Sequence, residues 1–98
     1  MTLRIVFRQG AKSEFEDAAL WYDQQRRGLG EEFILEIEQS LASAATEPQR
    51  CPIVFGDIRR TVARRFPYAV YFRLRADALI VLAVFHGHRN PTIWQRRT

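Results

Sequence analysis

Two histidines and a run of arginines are the side chains of this 98-residue chain best suited to chemistry. His86 and His88 flank Gly87, and on a strand end that spacing puts both rings on one face, where a metal ion could use them. No Cys, Asp or Glu stands beside them to complete a ligand set, and Asp77 falls at the opposite end of the same strand. A polar strand terminus is the better reading, so neither a metal nor any other cofactor is expected. His86 as a general acid or base is a further reading. Imidazole exchanges its proton near neutral pH, and Arg64 and Arg89 could carry charge beside a scissile phosphate. A histidine that only satisfies a strand end competes with that reading and is preferred. Other familiar chemistries lack their residues: there is no glycine-rich phosphate loop, no Ser/His/Asp elbow and no cysteine pair. The single cysteine, Cys51, cannot form an internal disulfide, and it reads as a small loop or core residue in a cytoplasmic protein.

The arginines point to a partner rather than a reaction. Residues 1–50 hold six basic and nine acidic side chains, a net of −3, whereas residues 51–98 hold nine basic and two acidic, a net of +7. Every basic residue except Lys12 is Arg, the side chain suited to bidentate contact with carboxylate or phosphate. Arg59, Arg60, Arg64 and Arg65 form two basic pairs on one expected strand, and Arg73, Arg75 and Arg89 extend the set. An acidic partner fits this half of the chain. A solvated sheet face that resists edge aggregation fits it equally well. Tyr71 and Trp94 add aromatic platforms.

These residues need a scaffold, and the hydrophobic pattern supplies one domain over residues 1–98. Leu3, Ile5 and Phe7 alternate with Arg4, Val6 and Arg8 as in a short strand. From Gly10, apolar residues recur at helical spacing through Ala11, Phe15, Ala18, Ala19 and Tyr22. Ser13 and Glu16 could form a capping box that delays the helix start. Gly28-Leu29-Gly30 breaks the helix, and Phe33, Ile34, Ile37 and Leu41 mark a second one that Pro48 ends. Trp21 lies off the main apolar stripe and is expected to bury against Leu29 and Phe33, with a partner groove as the alternative. Short extended structure is possible up to Phe55. Strands are then expected over Ile58 to Arg65, Tyr68 to Arg75 and Leu79 to Phe85, the last apolar throughout as if covered on both faces. Ala76-Asp77 makes the turn between the last two. Pro91 should stop the ladder, and residues 92–97 suit a brief terminal helix. The expected class is α+β in the order β-α-α-β-β-β: a first strand, an antiparallel helical hairpin, a largely antiparallel three-stranded meander in the same sheet, and a short C-terminal helical turn. The apolar run from Ala78 to Phe85 is too short to span a bilayer, and no membrane role is expected.

Several stretches also resemble the ParE branch of the ParE/RelE toxin superfamily. Residues 18–33, with Trp21-Tyr22-Asp23, Gly28-Leu29-Gly30 and Phe33, are similar to its helix-corner-helix signature. Pro48 to Pro52, Arg59-Arg60, Arg65-Phe66-Pro67-Tyr68, His86-Gly87-His88-Arg89-Asn90-Pro91 and Trp94 continue the likeness over nearly the whole chain. The resemblance implies a toxin of a type II toxin–antitoxin system, held in a hetero-oligomer by a cognate ParD-like antitoxin. It implies DNA gyrase as the target and contact rather than catalysis as the mode of action. The alternatives are a RelE-type endoribonuclease acting on ribosome-bound mRNA, and a non-toxic binding module of an autoregulatory complex.

The residues divide accordingly. In a RelE-type nuclease the catalytic Arg beside the strand Tyr would fall at Ala69, the C-terminal Tyr near Trp94, and the preceding lysines loosely at Arg60 and Val62. These departures disfavour a nuclease; were the chain one, Arg64, His86 and Arg89 would be its acid–base set. Target contact is assigned to Arg64, Arg89, Trp94, Arg96 and Arg97. Antitoxin contact is assigned to Trp21, Leu29, Phe33, Arg60 and Arg65, with the antitoxin's acidic, amphipathic C-terminal segment folding across the helical hairpin and the basic sheet.

Overall fold

The computed structural model describes residues 2–87 and 95–96. A first strand, β1 (Arg4–Phe7), leads into helices α1 (Gln9–Gln25) and α2 (Leu29–Thr46), then a single 3-10 turn at Pro48–Arg50. Strands β2 (Ile53–Phe55), β3 (Ile58–Val62), β4 (Tyr68–Arg75) and β5 (Ala78–His86) complete it. The five strands form one sheet in the order β1-β5-β4-β3-β2. β1 runs parallel to β5, and every other pairing is antiparallel.

The parallel pair follows from the long helical crossover between its strands. It places β5 inside the sheet, where its apolar sequence belongs. On one face Val70, Phe72, Leu79, Val81 and Val84 pack against Ala11, Ala18, Phe33, Ile37 and Leu41 of the helices. On the other, Ile58, Ala69, Tyr71, Leu82, Ala83 and Phe85 form a second buried cluster. Strict alternation cannot produce both sets along β5. A bulge resolves it: Tyr71 pairs with Ala83 and Phe72 with Val81, so Leu82 is the extra residue and Val81 and Val84 share a face.

Four boundaries differ from the sequence expectation. Helix α1 starts at Gln9, with no side-chain cap at Arg8. The Arg8 amide still donates to the Val81 carbonyl at 3.0 Å and Ala11 is fully buried, so the turn must close at once and the Ser13 capping box is overridden by packing. Gly28, at φ +88°, is the break between the helices, while Gly30 lies inside α2. β3 stops at Val62, leaving Arg64 and Arg65 in the loop to β4. The segment before Ile58 forms a true strand, β2, giving five strands where four were counted. The expected terminal helix falls largely outside the described residues; Gln95 is helical and Arg96 is in a turn.

Candidate partner and target surfaces

The helix corner is built around one carboxylate. Asp23 Oδ1 accepts the Gly28 and Gly30 amides, each at 3.0 Å. It satisfies N-terminal amides of α2 that would otherwise have no partner. Trp21 then sits on the outside of the corner, 54 % exposed, its ring edge-on to Tyr22 with centroids 5.1 Å apart. The expected burial of Trp21 does not occur, because Tyr22 takes the inward place. Tyr22 meets Phe33, Phe66 and Tyr68 at centroid distances of 5.2, 4.8 and 6.0 Å. Burial, and then the neighbouring Tyr68, push the Tyr22 phenol above its ordinary value, so it stays neutral. Phe33 is wholly buried in this aromatic cluster and cannot touch a partner in this conformation, while Leu29 is half-buried. Phe33 therefore carries the core, not the surface expected of it.

The loop after β3 is fastened to α2. Glu36 Oε2 accepts the Arg65 amide at 2.6 Å, and Glu32 Oε1 receives the Arg65 guanidinium at 2.7 Å. The other oxygen of Glu32 takes Arg26 at 3.2 Å. The hydrogen bonds from Arg65, and then from Arg26, hold the Glu32 carboxyl below the usual carboxylate range. Arg65, expected on an antitoxin surface, is thus already engaged within the chain. Other arginines are occupied too. Arg73 and Arg75 share Asp57 at 2.9 Å each, and Arg59 donates to the Cys51 carbonyl at 2.8 Å. Burial pushes the Cys51 thiol above its ordinary value, consistent with a structural role. Four of the nine arginines of residues 51–98 are therefore already engaged within the chain. Arg60 and Arg64 are exposed and make no ion pair among the described residues.

Two clefts collect the remaining candidates. One, of about 440 Å³, is lined by Trp21, Tyr22, Pro67, Tyr68 and His86. His86 is half-buried at the end of β5, edge-on to Tyr68 with centroids 5.4 Å apart, and the next amide, Gly87, donates to Pro67 O at 2.7 Å. The second, of about 340 Å³, lies between α2 and β3 and is lined by Glu36, Gln39, Ser40, Ser43, Thr61, Val62 and Arg64. A third cleft, which includes Arg60 and Ala69, adjoins both, sharing Val62 with the Arg64 cleft and Pro67 and Tyr68 with the His86 cleft. Ala69, where the nuclease comparison would put an Arg, is buried at 5 % exposure in the second cluster. Arg96 is exposed. His88, Arg89, Trp94 and Arg97 lie outside the described residues. Among the described residues, no three His, Cys, Asp or Glu side chains gather in a metal-binding group.

Sequence reasoning missed the carboxylates that hold these surfaces in place. Their signals were present: an acidic residue five positions before a Gly-x-Gly corner, and Glu32 and Glu36 one helical turn apart.

A helical hairpin on one face of a five-stranded mixed sheet, with a basic loop latched to the second helix, defines a small α+β class. A family profile described as "ParE toxin of type II toxin-antitoxin system, parDE" matches residues 5–91. The chain belongs to this ParE toxin family. Eleven chains of solved structures match it. One, from the chromosomal ParDE toxin–antitoxin system of P. aeruginosa, aligns with a TM-score of 0.75 at 11 % identity, over 87 % of this chain and 96 % of that one. Another, from the RelBE2 toxin–antitoxin complex of Mycobacterium tuberculosis, aligns with a TM-score of 0.62 at 16 % identity, over 88 % and 99 %. At these identities the likeness is one of fold. A search of curated proteins finds no match to this sequence. Among the described residues no helix is long and apolar enough to cross a membrane.

Proposed function

We propose that this ParE-family toxin acts by binding DNA gyrase, without cutting nucleic acid, and is neutralised by a ParD-like antitoxin. The observation that carries the reading is the buried methyl of Ala69 on the sheet's outer face, at the place where a RelE-type nuclease would present a guanidinium. Alanine offers no charge to a scissile phosphate and no proton to a leaving oxygen. An antitoxin partner is supported by the family and by two structural neighbours from toxin–antitoxin systems.

Target contact falls to Arg64, Arg89, Trp94, Arg96 and Arg97. Antitoxin contact falls to Trp21, Leu29 and Arg60, which leave side-chain surface at the corner and on the sheet. Induction of the chain in cells, with mRNA ends mapped on ribosomes, tests the reading. His86→Gln should leave growth inhibition within about threefold of the parent, because the variant retains a hydrogen-bonding group at the strand end. Loss of a general acid or base would instead cost about a hundredfold or more in rate. Codon-specific cleavage that vanishes in His86→Gln would identify a ribonuclease.

A further inference from the structure

We infer that Glu32 and Glu36 are positioning residues for Arg64: by holding Arg65 against α2 they set the loop between β3 and β4 and leave the Arg64 guanidinium to the target; the inference rests on the gyrase reading above. The loop is tied down on both sides of Arg64. Before it, the Ala63 amide donates to Tyr68 O at 2.9 Å. After it, the Arg65 amide donates to Glu36 Oε2 at 2.6 Å and the Arg65 guanidinium to Glu32 Oε1 at 2.7 Å. That guanidinium also lies 5.3 Å from the centroid of the Phe66 ring. Phe66 itself is buried, edge-on to Phe33 and Tyr22 with centroids 5.3 and 4.8 Å away. Pro67 O closes the loop by accepting the Gly87 amide at 2.7 Å. Arg64 stands between these ties, exposed and without an ion pair among the described residues.

Glu36 lines the same cleft as Arg64. A carboxylate and a guanidinium in one exposed cleft attract each other, and an Arg64 paired with Glu36 would meet the target with its charge already cancelled. The Arg65 amide prevents this by taking an oxygen of Glu36. Glu32, one helical turn earlier, is held on one oxygen by Arg65 and on the other by Arg26. Both acids of α2 are thus directed to Arg65 and away from Arg64. The latch has a second effect, because an arginine loses conformational freedom when it binds and a loop fixed beforehand lowers that cost. Pro67, three residues on, enters the cleft of Trp21 and His86, so one anchored loop sets the walls of two clefts.

A double-mutant cycle separates positioning from stability. Inhibition of gyrase supercoiling by the purified chain is measured for wild type, Glu36→Ala, Glu36→Gln, Arg64→Ala and the Glu36→Ala/Arg64→Ala pair, with a urea titration of each. Glu36→Ala and Arg64→Ala should each weaken inhibition about tenfold. Glu36→Gln keeps an acceptor for the Arg65 amide and should stay within about threefold of wild type. The paired variant should lose no more than Arg64→Ala alone, because a residue that acts through Arg64 has nothing left to position. Losses that add, or a folded Glu36→Ala that inhibits like wild type, would overturn the positioning role and leave the gyrase reading intact. If Glu36→Ala proves unfolded, Glu32→Ala takes its place in the cycle, and additive losses there overturn the role instead. A wild-type chain that leaves supercoiling unaffected would overturn both.

Discussion

Asp23 Oδ1 holds two amides of the helix corner, and the space around it leaves no room for a methyl group at Gly30. A Cβ there would press into the Ala19 carbonyl and come within 3.0 Å of Asp23 Oδ1. A backbone carbonyl inside a helix yields little, so Gly30→Ala should cost about 2 kcal/mol or more. Gly28→Ala meets no atom, and its cost is that of a positive φ alone, about 1 kcal/mol. Urea titration of both variants should give that order, and the reverse order would contradict the corner geometry. Glu14 has a comparable role on the sheet. Where β1 has left β5, the Val84 amide donates to Glu14 Oε1 at 3.0 Å. Glu14→Ala should therefore cost about 1–3 kcal/mol, and Glu14→Gln, which retains an acceptor, much less. Asp23 leaves a signal in its spacing from the Gly-x-Gly corner, whereas the role of Glu14 leaves none in the sequence. Composition places acidic residues on the polar side of α1, but only the tertiary path shows which of them reaches an unpaired amide.

At the level of elements, the helical hairpin, β4 and β5 were readable because period and turn chemistry agree. The elements that shifted were set by contacts distant in sequence. α1 begins early because β1 ends against β5 and Ala11 is already in the core. β3 ends early because Glu32 and Glu36 draw Arg65 toward α2. The bulge at Leu82 cannot be read from an apolar run in which every residue is buried or nearly so. The latch carries a pH dependence. Glu32 is held below its ordinary value by Arg65 and Arg26, and Asp57 by Arg73 and Arg75. A carboxyl depressed in the folded state stabilises fully above its unfolded value, about 4, and loses that contribution as pH falls through the lower folded value. Between about pH 5 and pH 2 the wild type should therefore lose more stability than Glu32→Gln. Parallel acid titrations of the two would contradict the latch. For the same reason, Arg60→Glu probes the antitoxin surface more cleanly than Arg65→Glu, which would also break the latch.

Across the whole molecule, the −3/+7 division of charge overstates what a partner can use. Arg59, Arg65, Arg73 and Arg75 are turned back on the chain's own carbonyl and carboxylate oxygens, leaving Arg60 and Arg64 as the uncommitted cations among the described residues of β3 and its following loop. Sequence counting cannot separate committed from available charge, because Glu32, Glu36 and Asp57 reach Arg65, Arg73 and Arg75 from 16 to 33 residues away. The exposed Trp21 was not foreseen either, since the sequence pattern favours its burial against Leu29 and Phe33. The proposal of contact rather than catalysis rests on the buried Ala69 of the outer sheet face. The most direct test is DNA supercoiling by purified gyrase with the purified chain added, alongside translating ribosomes carrying defined mRNA. The account predicts loss of supercoiling that the antitoxin restores, with the mRNA left whole; cleaved mRNA with supercoiling unaffected would contradict it.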